Sequence, residues 1–284
     1  MNCGIACILS MSLNLVNGCA GQFSLGHAGF MAVGAYVAAT LTTVFPAGPS
    51  FQSHLGVGMA ILSGGIAAGL AGYLVGLPSL RLRGDYLAIV TLGFGEIIRI
   101  VILNIEAVGG PRGLPGIPRL SSFFWIYVWA AITGLVLFRI IRSSVGRALL
   151  SLREDEIAAE SMGINTAKYK VQAFVISSFF AGIAGGLFAH YQGFVDPSSF
   201  SFNRSVEVVI MVVMGGMGSI SGSVIGAIIV TVLPEFLRFL DKFRMVVFPL
   251  ILIILMLLRP MGLLGHKEIW QLFRFKRSLK KAVA

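Results

Sequence analysis

The chain has 284 residues, of which 56% are hydrophobic and 12% charged, and its formal net charge is +10. Soluble domains carry about 25% charged residues, and a mean hydropathy of +0.89 excludes an ordinary soluble fold. Apolar runs of about 20 residues recur, each long enough to cross a bilayer core. The composition therefore predicts a multi-pass membrane protein whose basic excess lies in loops and the tail, as positive-inside topology requires, and does not indicate a nucleic-acid partner.

Glycine accounts for 35 residues, many of them inside apolar runs. Small residues let helix backbones approach closely in lipid, whereas a membrane β-barrel would show alternating segments of about ten residues. We therefore expect an all-α integral membrane protein, a polytopic helical bundle of about eight spans that includes broken or re-entrant segments. The transmembrane domain is expected over 1–258 and a basic cytoplasmic tail over 259–284, either as an amphipathic segment on the membrane or as a disordered tail.

The first two apolar runs cover 1–19 and 24–45, and the first of them ends in the polar stretch NLVNGCAGQ. The first run contains every cysteine of the chain, namely Cys3, Cys7 and Cys19. Because no histidine or acid accompanies these thiols, we expect them to pack against lipid or the core rather than to bind a metal. Ser24 and His27 lie at the start of the second run.

The third run, 55–77, carries small residues on one helical face: Gly64, Ala68, Gly72 and Gly76, with Gly65 and Gly69 beside them. Their spacing predicts a smooth stripe that packs against a neighbouring helix. The fourth run is unusual because Glu96 and Arg99 lie near its middle. Their i, i+3 spacing allows an ion pair on one helix, and a structural pair and a pathway-lining role are the two open interpretations.

Glycine and proline interrupt the chain at two further places. The segment 106–118, EAVGGPRGLPGIP, predicts a shaped loop rather than a helix. After spans at about 122–140 and 171–190, the apolar stretch 205–214 is too short to cross a bilayer and leads into GGMGSISG. We predict a discontinuous or re-entrant helix at this point, followed by a last span at 245–258.

The charged segment, Arg139–Lys170, holds ten of the Asp, Glu, Lys and Arg residues and lies between apolar runs. Helix-compatible residues from Arg147 to Met162 predict one amphipathic helix, which Gly163 would end. One face is expected to carry Ala148, Leu152, Ala159 and Met162, and the other Arg153, Glu156 and Glu160. A folded polar segment in so apolar a chain predicts a docking surface for another protein, with a solvated loop as the alternative.

Counting spans puts the charged segment and the tail on the same, cytoplasmic side, because four crossings or half-crossings separate them. The same count puts the 106–118 loop and the N-terminus outside, and an external N-terminus leads us to expect a further span upstream. A weak internal echo relates 26–36 to 218–228, since both are glycine-punctuated openings of an apolar helix.

The sequence patterns of nucleotide binding and covalent catalysis are missing. The chain has no G-x-x-x-x-G-K-[ST] loop that would hold phosphates. Its histidines are scattered without the spacing of metal ligands: His27, His54, His190 and His266. We expect no catalytic residue, no metal site and no cofactor bound by this chain.

Five segments resemble the permease subunits of branched-chain amino acid ABC importers, of the LivM type. They are LNLVNGCAGQFSLGHAGFMAVGAYVAA, RGDYLAIVTLGFGEIIRIVILN, GGPRGLPGIP, SSVGRALLSLREDEIAAESMGINTAKYK and VVMGGMGSISGSVIGAIIVTVLPEFLR, which together run from about Leu13 to Arg238. The resemblance implies a non-catalytic subunit that moves leucine, isoleucine and valine across the bacterial inner membrane. It also implies that the charged segment contains a coupling helix, although the EAA-type pattern of such helices is kept only in part: Glu156, Ala158, Ala159 and Gly163.

The coupling residues that the resemblance implies are Arg147, Leu152, Arg153, Glu154, Glu156, Glu160 and Gly163. Candidate pathway or gating groups are Ser24, His27, Glu96, Arg99 and Glu207. The implied partners are a second permease, two cytoplasmic ATPase subunits that bind ATP and Mg²⁺, a periplasmic or lipid-anchored amino-acid-binding protein, and membrane lipids. Three alternatives stay open: an ABC importer of urea, amides or other amino acids, an ion-coupled secondary transporter with Glu96 as its coupling carboxylate, and a structural membrane scaffold.

Overall fold

The computed structural model describes residues 1–43, 54–79, 82, 84–239, 244–259, 262–265 and 268. Its α-helices are α1 (Asn2–Asn14), α2 (His27–Thr43), α3 (His54–Ser79), α4 (Asp85–Asn104), α5 (Phe123–Arg142), α6 (Ser144–Glu154), α7 (Glu156–Ser161), α8 (Thr166–Gln192), α9 (Phe202–Gly215), α10 (Ile220–Phe236) and α11 (Arg244–Leu258). A π-helical turn, Leu15–Cys19, extends α1, and short 3₁₀ turns lie at Glu106–Val108, Gly110–Arg112 and Pro197–Phe200. The two-residue strands β1 (Leu114–Pro115) and β2 (Phe194–Val195) pair in antiparallel orientation.

Six helices in the described part of the chain are long and apolar enough to cross a membrane: α1 with its π turn, α3, α4, α5, α8 and α10. Helices α2, α9 and α11 are shorter, with 17, 14 and 15 residues. The all-α multi-pass fold is therefore confirmed. The expected count of about eight spans is close to the number of these long and short helices in the described residues. The amphipathic segment predicted for the tail lies outside the described residues.

The closest packing brings α2, α3 and α8 together along small residues. A Cβ atom on Gly34 of α2 would lie 2.2 Å from the backbone oxygen of Gly182 in α8, so the two backbones are in contact. The stripe on α3 reaches the same place, because Gly64 lies against Gly34 and Ala68 lies against Gly182. The stripe is confirmed as a packing surface, since a larger side chain would force these helices apart.

Helix α1 is the centre of the bundle and packs against α5, α8, α9 and α10. Its residues 4–14 are all buried. Ser10 Oγ donates a hydrogen bond to the carbonyl of Ser223 at 3.0 Å, and Ser177 Oγ donates to the carbonyl of Ser12 at 2.6 Å. These bonds satisfy hydroxyl groups in an interior where an unpaired polar group would be costly.

Two breaks in helical structure lie beside α1. Residues 216–219 separate α9 from α10, and Gly216 and Gly218 have φ angles of +115° and +93° that favour glycine. The predicted discontinuous helix is thus confirmed. Residues 20–26, which separate the π turn from α2, are also non-helical. Each segment of the sequence echo, 26–36 and 218–228, therefore begins at one of these breaks.

We call the end of the bundle that carries the charged segment the charged end, and it also contains the π turn and the 216–219 break. Glu268, from the described start of the tail, binds the amide of Ile220 at the same break. This placement agrees with the span count, which put the charged segment and the tail on one side.

The opposite end is organised by the pairing of β1 with β2, which joins the 106–118 loop to the loop that follows α8. Asp196 holds the second loop, because its carboxylate accepts hydrogen bonds from the amide of Ser199 and the hydroxyl of Ser198. Burial alone would raise the pKa of Asp196, but these bonds outweigh burial and hold the pKa below its ordinary value. The 106–118 loop is shaped by turns and a strand, as predicted.

The prediction of one helix from Arg147 to Met162 is wrong, because the helix breaks at Asp155. The backbone of Asp155 is extended, and its carboxylate accepts hydrogen bonds from the amides of Ile157 and Ala158 at 2.8 and 3.0 Å. An aspartate that caps the next helix in this way ends the preceding one. Gly163 does end α7, with a φ of +81°.

We expect Gly34→Ala to lower the melting temperature of the purified protein, because the added methyl group would overlap the backbone of Gly182. Such overpacking costs about 1–3 kcal/mol. The matched control is Gly58→Ala in α3, where a Cβ atom meets nothing within 4 Å. Thermal unfolding in detergent compares the two variants, and equal melting temperatures would show that the α2–α8 contact tolerates a side chain.

Candidate functional site

Arg153 attaches the charged segment to the centre of the bundle. Its Nη1 donates a hydrogen bond to the carbonyl of Gly18, in the π turn, at 3.1 Å, while Nε and Nη2 bind Glu154 Oε1 at 3.1 and 2.6 Å. The neighbouring side chains Leu149 and Leu152 are buried. The charged segment therefore contacts the end of α1 through both a charged hydrogen bond and an apolar face.

A second ion pair holds α7 against the start of α8. Lys170 Nζ lies 2.5 Å from Glu156 Oε1, and Lys170 is only 5% exposed. Removing one partner of a buried pair is costly, because the remaining charge stays buried. Arg153 and Glu156 were expected on one face with Glu160, but both are half-buried and bonded to the bundle, whereas Glu160 is exposed.

The outward surface of the charged segment has a different composition from the one expected. Met162, which was expected on one face with Ala148 and Leu152, is 82% exposed although those two residues are buried, and Ile157 is 68% exposed. The reason is the break at Asp155, which changes the helical phase of the residues that follow. Of the seven implied coupling residues, Leu152, Arg153 and Glu156 are buried or half-buried, whereas the exposed ones are Arg147, Glu154, Glu160 and Gly163.

Asn14 satisfies the backbone at the break between α9 and α10. Its Oδ1 accepts a hydrogen bond from the amide of Gly218 at 2.8 Å, and its Nδ2 donates to the carbonyl of Ser219 at 3.1 Å. Asn14 is completely buried. Non-helical backbone inside a membrane protein needs such partners, so this one amide group replaces two bonds that a continuous helix would have made.

Asn17 does the same for the break between the π turn and α2. Its Oδ1 accepts a hydrogen bond from the amide of Ser24 at 3.1 Å, and its Nδ2 donates to the carbonyl of Ser24 at 3.4 Å. Thr91 Oγ1 accepts a further bond from the amide of Leu25 at 3.0 Å. Two asparagines three residues apart at the end of α1 therefore hold both breaks.

Glu268 caps α10 from the tail. Its carboxylate accepts hydrogen bonds from the amides of Ile220 and Ser221 at 2.8 and 3.1 Å and also binds the Ser221 hydroxyl. A carboxylate at a helix N-terminus is stabilised by the unpaired amides and the helix dipole. The single acid of the basic tail is therefore part of the 216–219 break.

The structure places Ser24 and His27 at the break before α2. Both residues are 2% exposed, and His27 Nε2 lies 2.8 Å from Ser12 Oγ in α1. The backbone of Ser24 is held by Asn17. These two candidates therefore share one buried polar cluster.

The other pathway candidates lie apart from that cluster. Glu96 and Arg99 form the predicted pair on α4 at 2.8 Å, with side chains 30% and 29% exposed. Glu207 pairs with Arg204 at 2.7 Å in the first turns of α9, at the opposite end. The hydrogen bonds and ion pairs of the described residues do not join these groups into one site.

Sequence reasoning did not predict that Asn14, Asn17 and Glu268 bond to the backbone at the helix breaks. The signal was present in NLVNG, where two amide side chains interrupt an apolar run. It also missed Ile157, whose exposure follows from the break at Asp155. Among the described residues, no group of three or more His, Cys, Asp or Glu side chains is placed to hold a metal ion.

We expect Asn14→Leu to destabilise the protein, because the amide of Gly218 and the carbonyl of Ser219 would lose their partners. An unsatisfied buried polar group costs about 1–3 kcal/mol. Asn104→Leu is the matched control, since Asn104 is exposed and its side chain donates a hydrogen bond to the carbonyl of Ile100 in its own helix. Thermal unfolding measures the difference, and an unchanged melting temperature for Asn14→Leu would show that these backbone groups find other partners.

Comparison with known proteins shows where the chain belongs. The profile of the family described as "Branched-chain amino acid transport system / permease component" matches residues 2–257. The chain is 40% identical to the high-affinity branched-chain amino acid transport system permease protein LivM of Escherichia coli K12, over 90% of this chain and 67% of that protein. No solved structure matches the chain.

Two more distant similarities point the same way. The probable branched-chain amino acid transport permease protein LivM of Methanocaldococcus jannaschii is 26% identical over 94% of this chain and 92% of its own length. The permease LivH of Escherichia coli K12 is 31% identical over 54% of this chain and 50% of its own length. Because the family profile covers nearly the whole helical bundle, the chain belongs to the permease components of branched-chain amino acid transport systems.

Proposed function

We propose that this chain is one of two permease subunits of an ATP-driven importer of leucine, isoleucine and valine in the bacterial inner membrane. Membership of the permease family over residues 2–257 carries the proposal. The similarity to both LivM and LivH supports a heterodimer with a second permease. The chain itself performs no catalysis in this proposal and binds neither ATP nor Mg²⁺, which belong to two ATPase subunits.

The ATPase would bind the outward surface of α7 on the cytoplasmic side. Ile157 and Met162 are large apolar side chains that are mostly exposed there, and Arg147, Glu154 and Glu160 are exposed on the same charged segment. Apolar residues rimmed by charges are typical of protein interfaces. Binding of an ATPase would account for a folded charged segment in so apolar a chain.

Arg153 and Glu156 would transmit the movement of the ATPase to the bundle. Their bonds to Gly18 and Lys170 attach α6 and α7 to α1 and α8. Through Asn14 the same contact reaches the break between α9 and α10. ATP-driven closure of the ATPases would therefore rock α1 and the broken helix together and expose the pathway alternately to the two sides of the membrane.

The pathway and gating roles of Ser24, His27, Glu96, Arg99 and Glu207 remain part of the proposal. Ser24 and His27 lie beside a break that such rocking would move. The mutual pairing of Glu96 and Arg99 favours a structural role for both. A periplasmic or lipid-anchored binding protein would deliver the amino acid to the opposite end, and lipids would surround α4 and α5.

We expect Ile157→Asp to abolish retention of the ATPase when the importer is purified through this chain. An aspartate would bring an unpaired charge into the apolar contact, and loss of a hot-spot contact costs about 2 kcal/mol or more, so the affinity for the ATPase should fall at least about tenfold. Phe239→Asp is the matched control, because Phe239 is 74% exposed but lies after α10, at the opposite end. Full retention of the ATPase by Ile157→Asp would place the docking surface elsewhere.

We expect membrane vesicles that contain the complete importer to accumulate labelled leucine when ATP is supplied and not in response to a proton gradient alone. Isoleucine and valine should compete with leucine, and urea and acetamide should not. Uptake that follows the proton gradient without ATP would overturn the proposal in favour of a secondary transporter. Normal uptake after deletion of this chain would favour a scaffold instead.

A further inference from the structure

A cavity of about 400 Å³ opens at the opposite end of the bundle, between α1, α8, α9 and α10. Its lining divides into two chemical halves. The apolar half contains Ala6 and Val230, both nearly fully buried, together with Phe188 and Pro234. The polar half contains Arg204 and Glu207, with an exposed rim of Asn2, Gln192 and Ser199. Small-molecule sites commonly combine an apolar wall with a few polar groups at this size.

Arg204 and Glu207, the charged residues of this cavity, form few hydrogen bonds within the described part of the protein. Arg204 Nη1 lies 2.7 Å from Glu207 Oε2, and the two side chains are 25% and 36% exposed. Within the described residues this is the one bond of either group, so the pair is single rather than the bidentate arrangement that the two groups can form. The remaining guanidinium donors and Glu207 Oε1 are therefore available to a ligand in the cavity.

Thr231 supplies an independent observation. Its Oγ1 is buried and has no hydrogen-bond partner among the described residues, and the residue lines the same cavity. Buried polar atoms in native proteins are usually bonded to protein or water, so this hydroxyl is free to bond to a group in the cavity. A polar ligand head in the cavity would provide one.

We propose that this cavity binds a free zwitterionic α-amino acid with a branched aliphatic side chain. The carboxylate of the amino acid would bind Arg204, its ammonium group would bind Glu207, and its side chain would pack against Ala6, Phe188 and Val230. A ligand with one positive and one negative group matches an adjacent Arg and Glu, since each charge gains an opposite partner and neither is left unpaired. The inference rests on the proposed function and names the first contact of the substrate with this chain.

The position of the cavity connects it to the rest of the molecule. Arg204 and Glu207 lie in the first turns of α9, and the other end of α9 is the break that Asn14 and Glu268 hold at the charged end. A ligand bound here therefore contacts the same short helix that the charged segment reaches through α1. Helix α9 would thus contact the substrate at one end and be displaced by the movement of the ATPase at the other.

Equilibrium binding of tritiated L-leucine to the full chain in lipid nanodiscs, without a binding protein, tests this site. Leucinamide lacks the carboxylate and 4-methylpentanoate lacks the ammonium group, so each should bind about tenfold more weakly than leucine, the loss expected for one charge-assisted hydrogen bond. Arg204→Gln should weaken leucine about tenfold and leave leucinamide unchanged. Glu207→Gln should weaken leucine about tenfold and leave 4-methylpentanoate unchanged.

The matched control is Arg238→Gln, which removes an arginine from another i, i+3 pair, with Glu235, outside the cavity. Its leucine binding should equal that of the unmodified chain. Because a misfolded variant would lose all three ligands, the selective losses distinguish recognition from a structural role of the pair. Unchanged leucine binding in both cavity variants, or no saturable leucine binding by the unmodified chain, would overturn the site.

Uptake by the complete importer separates this inference from the proposed function. ATP-dependent leucine uptake that is normal in Arg204→Gln and Glu207→Gln would overturn the cavity as a transport site and leave the proposed function standing. Reduced uptake in both variants with normal uptake in Arg238→Gln would support the site. If the unmodified importer transports no leucine with ATP, the proposed function fails, and the nanodisc result alone decides whether the cavity binds amino acids.

Discussion

A helix that breaks inside an apolar bundle leaves backbone amides and carbonyls without partners. The arrangement of side chains at the centre of this protein depends on supplying hydrogen bonds to those groups. Buried backbone groups of this kind need hydrogen-bond partners, and here side chains supply them. Asn14 and Asn17 do so for the breaks before α10 and α2, and Glu268 completes the first of them. Helix α1 and its π turn therefore contact both breaks, and the packing of α1 against α5, α8, α9 and α10 buries its residues 4–14.

This arrangement makes the end of α1 a junction between the polar and apolar parts of the chain. Arg153 binds the carbonyl of Gly18 just beyond Asn14, so the charged segment rests on the same turn that holds the breaks. The segment therefore has an attached side, formed by Leu152, Arg153 and Glu156, and an exposed side that includes Ile157 and Met162. Attachment on one side and exposure on the other are what the proposed coupling to an ATPase requires.

Close packing complements these polar contacts. Helices α2, α3 and α8 meet along glycine and alanine, where the backbones of Gly34 and Gly182 touch. Such contacts form a rigid group beside the breaks, since packed cores transmit displacement with little compression. Helix α9 extends from the break at the charged end to the cavity at the opposite end, so the proposed movement and the proposed ligand would both act on this helix.

Much of this protein follows from sequence alone, because membrane insertion depends on hydropathy and length. The multi-pass helical class, the packing stripe on α3, the short helix before GGMGSISG and the glycine that ends α7 are all readable from local pattern. Only the tertiary structure decided that Asp155 divides the charged segment, that Met162 faces outward and that Arg153 and Glu156 face inward. It also decided that Arg204 and Glu207 share a cavity with residues of α1 and α10. The physical reason is that a hydrogen bond such as that of Asn14 with Gly218 joins residues about 200 positions apart, and local pattern carries no information about such distant partners.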